Sequence, residues 1–182
     1  MRYYEGTKEK GGALFVNLFG GPGAGKTVMA ARMFAGLKMM GVEAINPEEH
    51  AKLAILSGRP WLLDEQIIMA GKTMETMFNL KDKASVIIMD SPILLCSVYG
   101  KNEPPSFHSL IEDVHKRFNH VNIMVIRDNK AGYDPSNRRE DEEQALLIDR
   151  LLINKINGIG EDYMPVKRGE DINSILNSIS TL

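Results

Sequence analysis

The sequence predicts a three-layer α/β fold in which helices cover both faces of a parallel β-sheet. Short apolar runs rich in β-forming residues alternate with longer segments of helical periodicity. Glycines follow the first apolar run at residues 20–25, and the β-branched run at residues 85–89 ends at an aspartate. Parallel strands need right-handed crossovers, which place the connecting helices on the two faces of the sheet.

In the first half of the chain, an apolar run at residues 13–19 predicts a buried parallel strand. The helix that follows Thr27 carries methionines and Leu37 at helical spacing as far as Met40, and Gly41 then ends it. Methionines in this pattern are read as core filler. The remaining elements of this half are strands at residues 42–45 and 85–89 and helices at 48–56 and 64–80.

In the second half, Pro104 and Pro105 introduce a helix at about residues 106–118. An apolar strand at 121–126 precedes a polar segment at 127–140, which is predicted to be a mobile loop. A helix at 141–157, a strand at 163–166 and a final helix complete the chain.

Length and composition indicate one soluble domain. The chain has 182 residues, of which 43% are hydrophobic and 25% charged, and no apolar run approaches the roughly 20 residues of a membrane span. Residues 1–12 carry charges and glycines instead of an apolar leader, so we expect a cytoplasmic protein, or one in the host cytoplasm if it is viral. Cys96 is the single cysteine, which excludes an internal disulfide and favours a buried thiol.

The net charge of −2 argues against a wholly basic nucleic-acid-binding surface. Positive charge is nevertheless concentrated in one stretch of the sequence, at Lys116, Arg117, Arg127, Lys130, Arg138 and Arg139. This stretch indicates either local phosphate chemistry or an ordinary solvated surface.

A glycine-rich motif lies between the first strand and the first helix. Its sequence is Gly20-Gly21-Pro22-Gly23-Ala24-Gly25-Lys26-Thr27, which matches the pattern G-x-x-x-x-G-K-T. Glycines let backbone N–H groups converge on phosphate oxygens at a helix N-terminus. Lys26 would neutralise the β and γ phosphates of ATP, and Thr27 would place its hydroxyl on Mg²⁺. The predicted nucleotide contacts are Gly21, Pro22, Gly23, Ala24, Gly25, Lys26, Thr27 and Val28.

Asp90 ends the apolar strand at residues 85–89 and resembles the Walker B carboxylate that orients Mg²⁺ or its water. Thr27 and Asp90 are therefore the predicted metal ligands. The alternative is that Asp90 is a turn residue, since apolar strands often end in aspartate for that reason alone.

Two further residues are candidates for catalysis. Arg138 lies in the loop at 127–140, where a guanidinium on a closing lid could stabilise charge on the transferring phosphoryl group. Its alternative role is to pair with Glu140, Asp141 or Glu142 in solvent. Glu49 follows the second strand and could act as general base, or it could simply complement the dipole of the next helix.

The histidines are not predicted to bind metal. His108 and His115 are seven positions apart, roughly 10 Å along a helix, which is too far for one ion. We expect them to be solvated or to cap the helix.

Taken in order, the P-loop, the Asp90-Ser91-Pro92 turn and the segment from Tyr133 to Arg138 resemble small bacteriophage-type P-loop kinases near thymidylate kinase and nicotinamide riboside kinase. The stretch Glu49-His50-Ala51-Lys52 is similar to a Glu-x-Ala-Lys motif of that group. The resemblance runs from about Ala13 to the end of the chain and leaves residues 1–12 as an N-terminal extension. The segment 137–139 departs from the group, because Asn-Arg-Arg stands where Gly-Arg is common, so either Arg138 or Arg139 could face phosphate.

The resemblance implies a nucleoside monophosphate kinase-like domain with a five-stranded parallel sheet of order 2-3-1-4-5. It also implies transfer of phosphate from ATP to a nucleoside, a nucleotide or a base in DNA, since some members resemble 5-hydroxymethyluracil DNA kinases. Between these acceptors the sequence does not decide. A second hypothesis is an ATPase switch or motor subunit, which would need an arginine finger in trans and an oligomer. The oligomeric state is left open, a homodimer being one option.

Overall fold

The computed structural model describes residues 12–127 and 141–180. Within these ranges the strands are β1 (Leu14–Phe19), β2 (Ala44–Ile45), β3 (Val86–Met89), β4 (His120–Ile126) and β5 (Met164–Lys167). The α-helices are α1 (Lys26–Met39), α2 (His50–Leu56), α3 (Gln66–Leu80), α4 (Leu94–Tyr99), α5 (Pro105–His115), α6 (Glu142–Gly158) and α7 (Ile172–Ser180). A 3₁₀ turn, Pro60–Asp64, precedes α3.

The five strands form one parallel sheet in the order β2-β3-β1-β4-β5. β1 lies at its centre, with Phe15 opposite Ile87 of β3 on one side and opposite His120 of β4 on the other. The fold class and the strand order expected from the sequence are therefore confirmed. Because all strands run in one direction, the residues that follow β1, β2, β3 and β4 meet at the same edge of the sheet.

Two apolar cores lie on opposite faces of the sheet, and the alternation of side chains along β1 divides them. Val16 and Leu18 pack against α1 and α7 on one face. Phe15 and Phe19 point to the other face, which α3, α4, α5 and α6 cover. All four of these β1 side chains are fully buried, so both faces of the central strand are sealed from solvent.

Most predicted elements are present with bounds that differ by a few residues, but α4 was not predicted. Its first four residues, Leu94 to Ser97, are all buried. A helix that is buried around its circumference shows no apolar stripe, so its sequence carries no helical period to detect. Met40 was predicted to be the last residue on the apolar face of the first helix. In the structure it is 44% exposed and follows the last residue of α1.

The positively charged stretch of the sequence is divided in the fold. Lys116 and Arg117 are exposed beside the start of β4, whereas Arg127 follows its end. β4 has seven residues, so the two ends are separated by roughly 20 Å. Lys130, Arg138 and Arg139 lie outside the described residues.

Two expectations about single side chains have clear outcomes. Cys96 is a buried free thiol, as predicted. For His115 the solvated role is wrong, since this side chain is only 1% exposed and packs within the protein at the last residue of α5. Among the described helices, none combines the length and the apolar character that crossing a membrane requires.

Candidate active site

The glycine-rich loop connects β1 to α1 at the carboxyl edge of the sheet. The φ angles of Gly20, Gly23 and Gly25 are 144°, 83° and 100°. Residues other than glycine are strained in this region of backbone conformation. Gly25 is the N-cap of α1, and as a glycine it has no side chain to cap the helix. The first N–H groups of α1 therefore have no partner within the helix and are directed at the space in front of it.

Lys26 extends along this loop. Its Nζ donates to the carbonyl oxygens of Gly20, at 2.7 Å, and Gly21, at 3.4 Å. Burial lowers the pKa of Lys26, and the negative charges of Asp90 and Glu49 oppose that effect. The ammonium group thus lies close enough to both carboxylates to interact with them electrostatically.

Thr27 and Asp90 are joined directly. The Thr27 hydroxyl donates to Oδ2 of Asp90 across 2.6 Å. Asp90 is 7% exposed, and its other oxygen, Oδ1, has no hydrogen-bond partner among the described residues. A buried carboxylate oxygen of this kind is an available ligand for a cation.

Glu49 reaches the same site from the loop after β2. It is the N-cap residue of α2, and its side chain makes no cap hydrogen bond. Burial raises the pKa of Glu49, and the neighbouring charge of Asp90 raises it further. Lys26 and Lys52 act in the opposite direction. Glu49, Asp90 and Lys26 therefore form one electrostatically coupled group.

The predicted lid lies almost entirely outside the described residues, and Arg138 with it. The first residue of that segment, Arg127, is described, and its guanidinium is already engaged. Nε of Arg127 donates to Oδ2 of Asp149 across 2.6 Å, and Nη2 lies 3.5 Å from the carbonyl oxygen of Ala145. Arg127 therefore ties the end of β4 to α6.

The same carboxylate of α6 holds the P-loop. The backbone N–H of Gly21 donates to Oδ1 of Asp149 at 2.5 Å. A Cβ placed on Gly21 would lie 2.5 Å from the carbonyl oxygen of Ala145 and 2.9 Å from Nη2 of Arg127. Gly21 is thus required by the close approach of α6. The role of Asp149 was missed, because nothing in the sequence of an amphipathic helix separates it from solvated acidic residues.

A second cation from outside the motif lies against the loop. The Arg168 side chain, which follows β5, would be 2.9 Å from a Cβ on Gly25. Arg32 of α1 holds this segment by donating to the carbonyl oxygens of Arg168 and Glu170, both at 3.0 Å. The sequence reasoning did not single out Arg168, since a lone arginine after a short edge strand carries no motif.

The described site therefore combines a turn of free N–H groups, one lysine and a hydroxyl paired with a buried carboxylate. The N–H groups and the lysine are donors that bind phosphate. The hydroxyl and the carboxylate are oxygen ligands that suit a hard divalent cation. A second carboxylate, Glu49, stands beside them and is available to accept a proton.

Comparisons with known proteins give a family and a set of structures that share the fold. A family model described as an AAA domain matches residues 15–171. None of the curated proteins compared matches the chain. Among solved structures, a deoxyadenosine kinase from M. mycoides, with products dCMP and dCDP bound, has a TM-score of 0.56 and 17% identity, covering 92% of this chain and 97% of its own. Thymidylate kinase from Ehrlichia chaffeensis has a TM-score of 0.57 and 15% identity, covering 94% and 96%.

A third solved structure, of NadR protein in complex with NR, has a TM-score of 0.63 and 13% identity. The match covers 92% of this chain but only 50% of that one, so the chain spans about half the length of NadR. At these identities the three similarities show a shared fold and nothing finer.

Proposed function

The chain belongs to the AAA domain family, and from that premise we propose that it is a P-loop kinase, which transfers the γ-phosphate of ATP to a hydroxyl of a nucleoside, nucleotide or nucleobase. The proposal depends most on one observation. Glu49, which follows β2, interacts electrostatically with Lys26 and Asp90, which follow β1 and β3 at the same edge of the sheet. A kinase needs a phosphate cradle together with a group that can take the proton of an acceptor hydroxyl.

The residues present fit Mg²⁺ as the metal of this site. Thr27 offers a hydroxyl oxygen, and Asp90 offers a buried carboxylate whose Oδ1 has no hydrogen-bond partner among the described residues. Mg²⁺ prefers a small number of protein oxygens and completes its shell with water and phosphate oxygens. When bound, the ion would neutralise charge on the β and γ phosphates.

The chain's own residues supply the rest of the proposed mechanism by positioning and charge. The N–H groups of the first turn of α1 hold the phosphates, and Lys26 leaves the carbonyl oxygens of Gly20 and Gly21 to contact them. The oxygen of the acceptor hydroxyl attacks the γ-phosphorus, and the bond between the γ-phosphorus and ADP breaks. Glu49 takes the proton of that hydroxyl during the attack. The raised pKa of Glu49 favours this role over Asp90, which the metal would occupy.

Arg138, or its neighbour Arg139, is proposed to complete the site from the lid. Arg127 is a weaker candidate for contact with phosphate, since its guanidinium is paired with Asp149. A guanidinium there would stabilise charge as it develops on the transferring phosphoryl group.

The acceptor is proposed to be a nucleoside or nucleotide, free or within DNA. The structural neighbours named deoxyadenosine kinase and thymidylate kinase support an acceptor of this chemical class. The base 5-hydroxymethyluracil in DNA belongs in the same class, because its hydroxymethyl group offers a primary hydroxyl. Binding to DNA would weaken steeply with salt, whereas binding of a free nucleoside would not.

The test is transfer of labelled γ-phosphate from ATP with Mg²⁺ into a panel of nucleosides, nucleotides, and DNA with and without 5-hydroxymethyluracil. Label on one acceptor, lost in Lys26→Ala, supports the proposal and names the substrate. Label released only as inorganic phosphate would favour the ATPase switch instead. The mass of the protein in solution, with and without nucleotide, then separates a self-contained enzyme from an oligomer that supplies an arginine in trans.

A further inference from the structure

A second cluster of potential ligands lies at the opposite edge of the sheet from the P-loop. It consists of His115, the last residue of α5, His120, the first residue of β4, and Glu161, which follows α6. One ligand atom from each lies within 4.8 Å of the other two. Both histidines are buried and Glu161 is half-buried. The end of α5, the start of β4 and the turn after α6 thus bring two imidazoles and a carboxylate together.

The orientation of His120 is set by the backbone. Nδ1 of His120 lies 2.9 Å from the carbonyl oxygen of Phe118, and a carbonyl can only accept, so Nδ1 carries the proton. Nε2 then faces Oε2 of Glu161 at 3.0 Å. A neutral imidazole would direct a lone pair at the carboxylate, so either a proton lies between Nε2 and Oε2 or a cation is shared by both groups.

The surroundings of His120 favour the shared cation. The ring of His115 lies over it, with centroids 3.9 Å apart and planes at 38°. His120 is only 7% exposed, and both rings are fixed within the protein. An imidazole whose Nδ1–H is bound to a backbone carbonyl is the usual arrangement of a metal-ligating histidine, because that hydrogen bond fixes the ring and leaves Nε2 for the ion.

The carboxylate is accessible to an ion, because Glu161 is only half-buried. Glu161 lies in the turn between α6 and β5, so its side chain can adjust more easily than the two buried rings.

We propose that His115, His120 and Glu161 bind a divalent transition-metal ion, with Zn²⁺ as the best fit. Two imidazoles and one carboxylate, with a water in the fourth position, are a known zinc ligand set. Tetrahedral ligands about 2.1 Å from zinc lie roughly 3.4 Å from each other. The His120 and Glu161 atoms are already 3.0 Å apart and no pair in the cluster exceeds 4.8 Å, so small side-chain movements close the triangle.

The role of this ion is structural. His120 pairs with Phe15 at the beginning of β1, and the P-loop begins five residues later, roughly 16 Å away along the strand. The ion would join the end of α5, the start of β4 and the turn before β5. It would not contact the phosphates bound at the other edge.

The experiment uses the full chain, freed of metal by a chelator and without nucleotide, and adds Zn²⁺ or Co²⁺. We expect one equivalent to bind, with a tetrahedral visible absorption band for Co²⁺. The melting temperature should rise by at least about 5 °C when free Zn²⁺ is 100 times its Kd. Glu161→Gln, which preserves shape, should lose the band and the rise, and His120→Asn should do the same.

Three controls separate this site from others. His108→Asn removes a different half-buried histidine and should bind as the wild type does. Asp90→Asn should also bind normally, because the ion is not at the P-loop. Circular dichroism shows whether Glu161→Gln is folded before metal is added. Absence of an equimolar Co²⁺ band in the wild type overturns the proposal, as does unchanged binding in folded Glu161→Gln.

Discussion

The Thr27 hydroxyl donates to Oδ2 of Asp90 across 2.6 Å and so joins two residues that are 63 positions apart in the chain. One lies in the first turn of α1 and the other directly after β3. They meet because β1 and β3 are neighbouring parallel strands, with Asn17 opposite Met89. The two oxygen atoms proposed to bind Mg²⁺ are therefore brought together by the pairing of β1 with β3.

Asp90→Asn should lower turnover by at least roughly 100-fold, because the amide keeps the shape of the side chain but removes the charge proposed to hold the metal. The Mg²⁺ concentration at half-maximal activity should rise as well. Phosphate transfer measured across a Mg²⁺ titration checks both effects. Asp113→Asn, an exposed aspartate on α5, is the matched control and should behave as the wild type does. Wild-type activity in Asp90→Asn would remove Asp90 from the metal site.

Glu49→Gln should abolish transfer and yet stabilise the fold at pH 8. Because the pKa of Glu49 is raised in the folded state, the native protein holds this proton more tightly than the unfolded chain, whose pKa stays near 4.5. Stability is therefore lost as pH rises from about 4.5 through the raised pKa. The glutamine avoids this cost, so the melting temperature should exceed that of the wild type by about 2 °C or more at pH 8 and match it near pH 4.

The control for this prediction is Glu48→Gln, which neutralises the exposed neighbouring carboxylate. It should change neither turnover nor the dependence of the melting temperature on pH. If Glu49→Gln instead retained full transfer, Glu49 would not be the general base, and Asp90 would take its place.

Gly21→Ala should destabilise the protein by about 1–3 kcal/mol. The added Cβ would lie 2.5 Å from the carbonyl oxygen of Ala145, a backbone atom that can move only with α6. The displacement should also break the hydrogen bond between the Gly21 N–H and Asp149, and so weaken ATP binding. Urea unfolding and nucleotide titration measure the two effects.

Gly71→Ala is the matched control. Gly71 lies inside α3, and apart from its chain neighbours and the backbone of its own helix no atom lies within 4 Å of the added Cβ. It should stabilise the helix by up to about 1 kcal/mol, because alanine has the higher helix propensity. Equal stability of Gly21→Ala and the wild type would show that α6 does not press on the P-loop.

Cys96 should resist alkylation in the native protein. Burial raises the pKa of its thiol to about 12. At pH 8 about one molecule in 10⁴ would carry the reactive thiolate, compared with roughly one in ten for an ordinary pKa of 9. Labelling with iodoacetamide should be at least about 100-fold slower than in urea, and the chain has no second thiol to confuse the measurement. Equally fast labelling in both states would mean that α4 opens readily.

Local sequence pattern predicted most of the architecture. The run from Leu14 to Phe19 could be read as a buried strand, and the P-loop as the connection to α1, because both signals lie within a few neighbouring residues. The strand order came from a resemblance, and the sheet confirms it. The pattern failed at α4, whose first four residues are all buried and show no periodicity. It carried no information on Lys116 and Arg127, which lie at opposite ends of β4.

By itself, the sequence determined that a phosphate-binding loop stands between a strand and a helix, and that Asp90 ends another strand. Only the tertiary structure decided which groups that are distant in the chain come into contact, at the P-loop and at the opposite edge of the sheet. Asp149 reaches the N–H of Gly21, and Glu161 reaches His120, through contacts that span 128 and 41 positions. Such contacts depend on how the helices pack across the sheet, and side-chain spacing along one element carries no information about that packing.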